Sequence, residues 1–224
     1  MFKSLYFLHK LFIIKFAPGN YDTEFIAEFI AHFNGTTLRN TMEAWALTST
    51  GKRYLQGESI LDDFQAYKKT DPNTLANVYV EFMEKYYFEK LSDVLDLENN
   101  VRFNERDDLG KAFGRFLIDV HDFTHVLTGY PPDPWGELLR IEYGKNWEGR
   151  GWRVLSRLSK LKFLTKGSKE WFSRRPAYIE ANLMRKSAKN YIFEDWFSML
   201  GQDINEVRKN LDTVPTTLYH WQRA

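Results

Sequence analysis

Apolar residues along this chain recur at spacings of three and four, and the punctuation between the runs is that of helix ends. "DTEFIAEFIAHFNG" opens at a capping Asp22 or Thr23, sets Phe25, Ile26, Phe29, Ile30 and Phe33 on one face, and stops at Asn34-Gly35. "DPNTLANVYVEFMEKYY" predicts a helix with Asp71 as cap and Pro72 at its first position, bringing Leu75, Val78, Tyr79, Phe82, Met83 and Tyr86 to helical spacing. A third pattern runs from about Asp107 to Leu127 behind the polar loop "NVRFNERDD", and another helix opens at Asp133-Pro134. Near the end, "DINEVRKNLD" carries Asp203 and Glu206 as a reciprocal capping box. Period-two alternation is scarce. The pattern predicts an all-α fold, and with no repeat, low-complexity tract or linker it predicts one compact multi-helix domain over residues 1–224.

Composition narrows this little but excludes a good deal. Apolar residues are 43% of the 224 and aromatics 17%, ample for a sizeable core and unlike a disordered chain. Lys and Arg number 31 against 30 Asp and Glu, so no global charge points to nucleic acid. The absence of cysteine rules out disulfides, iron–sulfur clusters, thiolate zinc sites and cysteine nucleophiles. The N-terminal segment, residues 1–17, is apolar but broken by Lys3, His9, Lys10 and Lys15. It offers neither a membrane span nor a secretory signal. It is expected either to pack on the core as an aromatic first helix or to lie on a membrane surface.

Candidate chemistry is concentrated in "HDFTHVLTGYPPDPWGE", His121 to Glu137. A helix turns about 100° per residue, so His121 and His125 project side by side, with Asp122 on the edge of their face. Gly114, Leu117 and Ile118 continue that face backward, which makes it the buried stripe. Carboxylates buried there without partners would each cost several kcal/mol, so a positive charge is expected among them. "YPPDP" then enforces a turn, Asp133 caps the next helix with Pro134 at its start, and Glu137 in the first turn can fold back over the histidines. Such a mixed nitrogen and oxygen set suits Zn²⁺ best, then Fe²⁺ or Mn²⁺, with Mg²⁺ possible and Ca²⁺ disfavoured. The spacing also fits ordinary core histidines and an acid at the positive end of a helix. A metallohydrolase is a further alternative, with Asp122 as base. A phosphohydrolase of the "HD" type needs another His and Asp, and His9 and His32 lack the context.

H-D-x-x-H followed by eleven residues and Glu, here His121, Asp122, His125 and Glu137, resembles the signature of the coenzyme Q (ubiquinone) biosynthesis protein 4 family. "HVLTGY" and "DPWGEL" extend the likeness, as do "TSTGKRYL" upstream and "FEDWFSMLGQDINEVRKNLDTVPTTLY" downstream, so that it covers roughly residues 45 to 220. The resemblance implies an all-helical fold, a divalent metal on those four side chains and a prenylated aromatic or isoprenoid lipid as ligand. It implies a place in ubiquinone assembly, where the family is associated with replacing the ring C1 carboxylate of a polyprenyl-hydroxybenzoate by hydroxyl. It also implies association with other quinone-biosynthesis enzymes at a membrane. His121, His125 and Glu137 are then ligands, and Asp122 is a fourth ligand or a proton-transfer group, which makes Asp122 and Glu137 the candidate catalytic residues. The alternative is a non-catalytic prenyl-lipid-binding or scaffold protein with a structural metal. Lacking a mitochondrial targeting segment, the chain is expected to be bacterial, cytoplasmic and peripheral to the inner membrane.

One further stretch stands apart. "GRGWRVLSRLSKLKFLTKGSKEWFSRR" sets Arg150, Arg153, Arg157 and Lys160 on a single stripe, with Trp152, Leu155, Leu158 and Phe163 beside it. In a nearly neutral chain this concentration of cations is read as an anionic-lipid surface, with a prenyl phosphate head group as the second choice and nucleic acid a distant third. Exposed aromatics lead to the expectation of a homodimer.

Overall fold

A computed structural model describes residues 37–86, 107–147, 149–166 and 168–220. The segment 1–17, the helix read over 22–35 and residues 100–106 of the polar loop lie outside these. Ten α-helices follow in chain order among the described residues: α1 (Thr37–Ala46), α2 (Ser49–Leu55), α3 (Phe64–Tyr67), α4 (Leu75–Tyr86), α5 (Asp108–Thr128), α6 (Pro134–Gly144), α7 (Arg150–Lys166), α8 (Ser168–Ser187), α9 (Trp196–Met199) and α10 (Ile204–Asn210). A 3₁₀ turn over Tyr191–Phe193 precedes α9. No strand occurs among the described residues, apart from a single bridge between Thr74 and Asp203. The all-α expectation holds.

The longest of the described helices, α5, is the hub, packed against α1, α2, α4 and α6. Its ends follow from local chemistry. The Asp107 carboxylate accepts the Gly110 N–H at 2.8 Å, satisfying one of the free donors of the first turn, and also pairs with Arg39 on α1. At the other end Gly129 takes the left-handed conformation, φ 81°, and returns its N–H to the His125 carbonyl. The orphan carbonyls beyond are taken from outside the helix. Thr216 N–H donates to Thr128 O, and the Arg208 guanidinium donates to Val126 O and Leu127 O.

Aromatic packing fixes α5 in rotation as well as in length. Trp45 of α1 meets Phe113 and Phe116, each with ring centroids 5.1 Å away, and Tyr79 of α4 stacks on Phe123 at 4.0 Å. These rings are buried, and each adds a geometric preference to its area burial. The face of α5 carrying His125 is thereby turned inward rather than to water.

The predicted start of α4 needs correction. Asp71 and Pro72 stand in a turn before the helix, where Asp71 accepts the Asn73 N–H at 2.9 Å. The helix begins at Leu75, because its first N–H groups find carbonyls elsewhere in the fold. Leu75 donates to Gln202 O and Ala76 to Leu200 O, while Thr74 Oγ1 accepts from Asn77. The expected box at α10 is one-sided: Asp203 accepts the Asn205 N–H at 2.8 Å, and among the described residues Glu206 returns no bond.

Beyond the hub, α6 packs on both α7 and α8, which also contact each other. The pin of this layer is Glu142, wholly buried on α6. It accepts Ser156 Oγ at 2.8 Å and Tyr178 Oη at 2.7 Å, and pairs with Lys145. A buried carboxylate with so many donors is compensated, and it locks α7 and α8 onto α6.

Candidate metal centre

The hairpin of α5 and α6 brings His121, His125 and Glu137 together. One donor atom from each lies within 4.8 Å of the others. His125 is fully buried, Glu137 nearly so, and His121 lies at the rim. The turn that makes this possible is built as the sequence suggests. Asp133 Oδ1 accepts both Trp135 and Gly136 N–H at 2.9 Å, Pro134 occupies the first turn, and Tyr219 Oη donates to Asp133 Oδ2 at 2.6 Å.

Hydrogen bonds on the far sides of the two rings decide what faces the centre. His125 Nδ1 lies 3.1 Å from the Tyr130 carbonyl, which can only accept, so that nitrogen carries the proton. Its Nε2 then presents a lone pair 3.2 Å from Glu137 Oε1 and makes no hydrogen bond there. His121 Nδ1 lies 2.9 Å from the Asp122 carboxylate, and its Nε2 faces Glu137 Oε2 at 3.3 Å. Each oxygen of one buried carboxylate is thus opposed by an imidazole nitrogen whose partner nitrogen is already engaged. Acceptors facing acceptors require a positive charge between them, and a divalent cation or a proton can supply it.

Electrostatics measure the same demand. Burial alone would lower the His121 pKa, but the Glu137 charge and the hydrogen bonds to Asp122 and Glu137 override it and raise it to about 9. Burial would raise the Glu137 carboxyl, and the two imidazoles hold it well below the usual range instead. The residues fit a metal on chemical grounds: two imidazoles whose inner nitrogens face one ionised carboxylate, oriented from behind by a carbonyl and a second carboxylate.

Asp122 is placed behind His121, not among the three converging donor atoms. In that place it fixes the tautomer of His121 and increases its basicity, which makes it a positioning residue. Asp122→Asn should therefore still bind one equivalent of Zn²⁺, with affinity lowered by roughly 10- to 100-fold as for other outer-shell partners. Calorimetric titration checks this. Loss of the site altogether would make Asp122 a ligand.

Four contributors lie outside the predicted ligand set. The Tyr130 carbonyl is a backbone group. Thr124 bonds the His121 carbonyl at 2.6 Å and accepts Arg140 Nε at 2.9 Å. Arg140, buried on α6, lays its guanidinium 4.9 Å from the Trp152 ring and opposes the protonation of His121. Gly136 passes so close to Pro131 that a Cβ there would lie 1.6 Å from the Pro131 carbonyl oxygen. A glycine inside the first turn of a helix, one residue before a ligand, was a readable hint.

The basic stripe resolves into two parts. Arg150, Arg153 and Arg157 are exposed on α7. Lys160 turns inward, its Nζ 5.5 Å from the Trp171 ring and 5.0 Å from that of Tyr178. The side chain of Phe163 lies outside the described residues.

A family model described as coenzyme Q (ubiquinone) biosynthesis protein Coq4 matches residues 9–216. The chain belongs to this family. Membership in the Coq4 family gives it a role in coenzyme Q biosynthesis and extends the likeness read from the sequence toward the N-terminus. Among solved structures, the chain is similar to a protein of Nostoc punctiforme assigned to ubiquinone biosynthesis, at TM-score 0.65 and 14% identity, covering 93% of this chain and 96% of that one. At that identity the likeness shows a shared fold. A comparison with curated protein sequences finds no match.

Proposed function

We propose that this Coq4-family chain is a metal-dependent enzyme of prenylquinone assembly, replacing the ring carboxylate of a polyprenyl-hydroxybenzoate by hydroxyl. The observation that carries the metal requirement is Glu137, a buried carboxylate with each oxygen opposed by an imidazole nitrogen. His121, His125 and Glu137 would hold the ion. Three donors leave positions open for substrate, a type of set used by zinc in hydrolytic centres and by ferrous iron in oxygenases. A bound ion would act as a Lewis acid on the carboxylate and phenolate oxygens of the ring.

The remaining roles belong to the chain's own groups. Asp122 and the Tyr130 carbonyl hold the imidazoles in one tautomer. The aromatic wall around His125, including Phe82 with its ring parallel at 5.9 Å, keeps water from the inner side of the centre. Overall, the ring-to-carboxyl carbon bond breaks and carbon dioxide leaves. One oxygen atom of O₂ enters the ring as hydroxyl, and the other leaves as water with two electrons from a reductant.

The test is turnover of a prenylated hydroxybenzoate under oxygen with a reductant, followed as carbon dioxide release before and after chelation. Turnover that is lost on chelation and restored by one metal supports the proposal. Turnover that survives complete metal removal overturns it. Tight binding of the prenyl lipid with no turnover under any metal would instead make the chain a lipid-binding organiser of the pathway's enzymes.

A further inference from the structure

The α7 and α8 helices carry a surface that the metal centre does not use. On α8, Phe172, Ile179 and Leu183 are 65%, 47% and 58% exposed, at spacings of seven and four that place them on one line along the helix. Exposed Pro176 lies on the same line. On α7, Leu161 is 45% exposed. These positions are not the loose end of a frayed element. The opposite side of α8, with Trp171, Ala177, Tyr178, Ala181 and Met184, is buried, and Tyr178 is bonded to Glu142 of α6.

Exposed cations accompany this ridge on both helices. Arg150, Arg153 and Arg157 stand exposed on α7, and Lys169, Arg175 and Lys186 on α8. Residues 150–187 hold eleven Lys and Arg against two Glu, in a chain whose net charge is +1. Of the two acids, Glu180 is engaged with Thr217 at the C-terminal end of the described chain.

An apolar ridge accompanied by cations selects among partners. A second copy meeting this face through a two-fold axis would bring two strongly cationic surfaces together. A nucleic acid would take the charges and leave Phe172, Ile179 and Leu183 against phosphate and water. An anionic bilayer satisfies both, with apolar side chains at the boundary of headgroup and acyl chain and arginines among the phosphates. No described helix is long and apolar enough to cross a membrane.

We infer that the outer face of the α7–α8 pair is a docking surface for an anionic lipid bilayer, with Phe172, Ile179 and Leu183 inserted and Arg150, Arg153 and Arg157 on the headgroups. Lys160, read from the sequence as part of this surface, is excluded by its inward turn onto Trp171 and Tyr178. This assignment stands independently of the metal reading.

The experiment is co-sedimentation of the full chain with vesicles of phosphatidylcholine alone and with added phosphatidylglycerol. The wild-type chain should bind the anionic vesicles, and binding should weaken as salt is raised. The triple variant Phe172→Ser, Ile179→Ser, Leu183→Ser should partition about ten-fold or more weakly with an unchanged melting temperature, since the side chains are exposed. Glu137→Gln should bind vesicles like the wild type, so failure of the metal reading leaves this result untouched. The inference is overturned if the triple variant binds as well as the wild type, or if the wild type does not distinguish the two vesicles. It is equally overturned if the triple variant converts a dimer to a monomer in sedimentation velocity without changing vesicle binding.

Discussion

His125→Ala will leave the protein without stoichiometric divalent metal. The wild type is expected to carry roughly one ion per chain, and the variant close to none, by elemental analysis after dialysis. His125 is wholly committed to the centre: its ring is buried, Nδ1 is held by the Tyr130 carbonyl, and Nε2 is left without a hydrogen bond beside Glu137. Truncation also removes a ring packed against Phe82, so metal-free His125→Ala should melt below the metal-free wild type. In Glu137→Gln the amide keeps the volume and removes the charge, so metal affinity should fall by about 100-fold or more, and metal-free stability should fall as well, because His121 loses the carboxylate that offsets its burial. The metal-induced rise in melting temperature should vanish in both variants. Full metal content in either would remove these residues from the centre.

Gly136→Ala will destabilise the fold by about 3 kcal/mol or more, lowering the melting temperature by roughly 6–12 °C for a domain of this size. The added Cβ would lie 1.6 Å from the Pro131 carbonyl oxygen and 2.7 Å from its carbon, both backbone atoms that cannot rotate aside. Nor can the helix back away. Asp133 holds the Gly136 N–H at 2.9 Å, the Glu137 N–H donates to Asp133 O at 2.8 Å, and Tyr219 bonds Asp133 from the C-terminal end. Any relief must shift Glu137, so metal affinity should drop with stability. Gly201→Ala is the control, since nothing lies within 4 Å of a Cβ there, and it should change stability by no more than about 0.5 kcal/mol. Equal melting temperatures for the two variants would show that the Pro131 turn is not clamped.

Elements whose limits are set by their own residues were legible in the sequence. Asp107, Gly129, Asp133 and Pro134 bound α5 and α6 because caps and breakers act within a turn of themselves. The start of α4 was not legible, because its first donors are satisfied by carbonyls at 200 and 202, more than a hundred residues away. The histidine pair and Glu137 could be read from helical period and the reversing turn. The place of Asp122 could not, since a residue at the edge of a face can turn toward the centre or toward its neighbour, and only the packed rotamers decide. Thr124, Arg140 and the Tyr130 carbonyl have no motif value, yet the carbonyl orients the His125 ring and the other two brace the backbone at His121. Along the basic stretch, period alone grouped Lys160 with three arginines, whereas Trp171 and Tyr178, brought across by α8, turn it inward. The exposed ridge of α8 was missed for a related reason: Phe172, Ile179 and Leu183 have the spacing of a core face, and only the buried opposite side shows which way they point.

The central claim is tested most directly by X-ray diffraction from crystals of the protein as purified, with data collected on both sides of the absorption edge of the metal found in it. A metal held here will give a single anomalous peak about 2.0–2.2 Å from His121 Nε2, His125 Nε2 and a Glu137 oxygen, with Asp122 still on the far nitrogen of His121. A peak elsewhere in the molecule, or well-ordered side chains at this centre bridged by protons alone in metal-replete crystals, would contradict it.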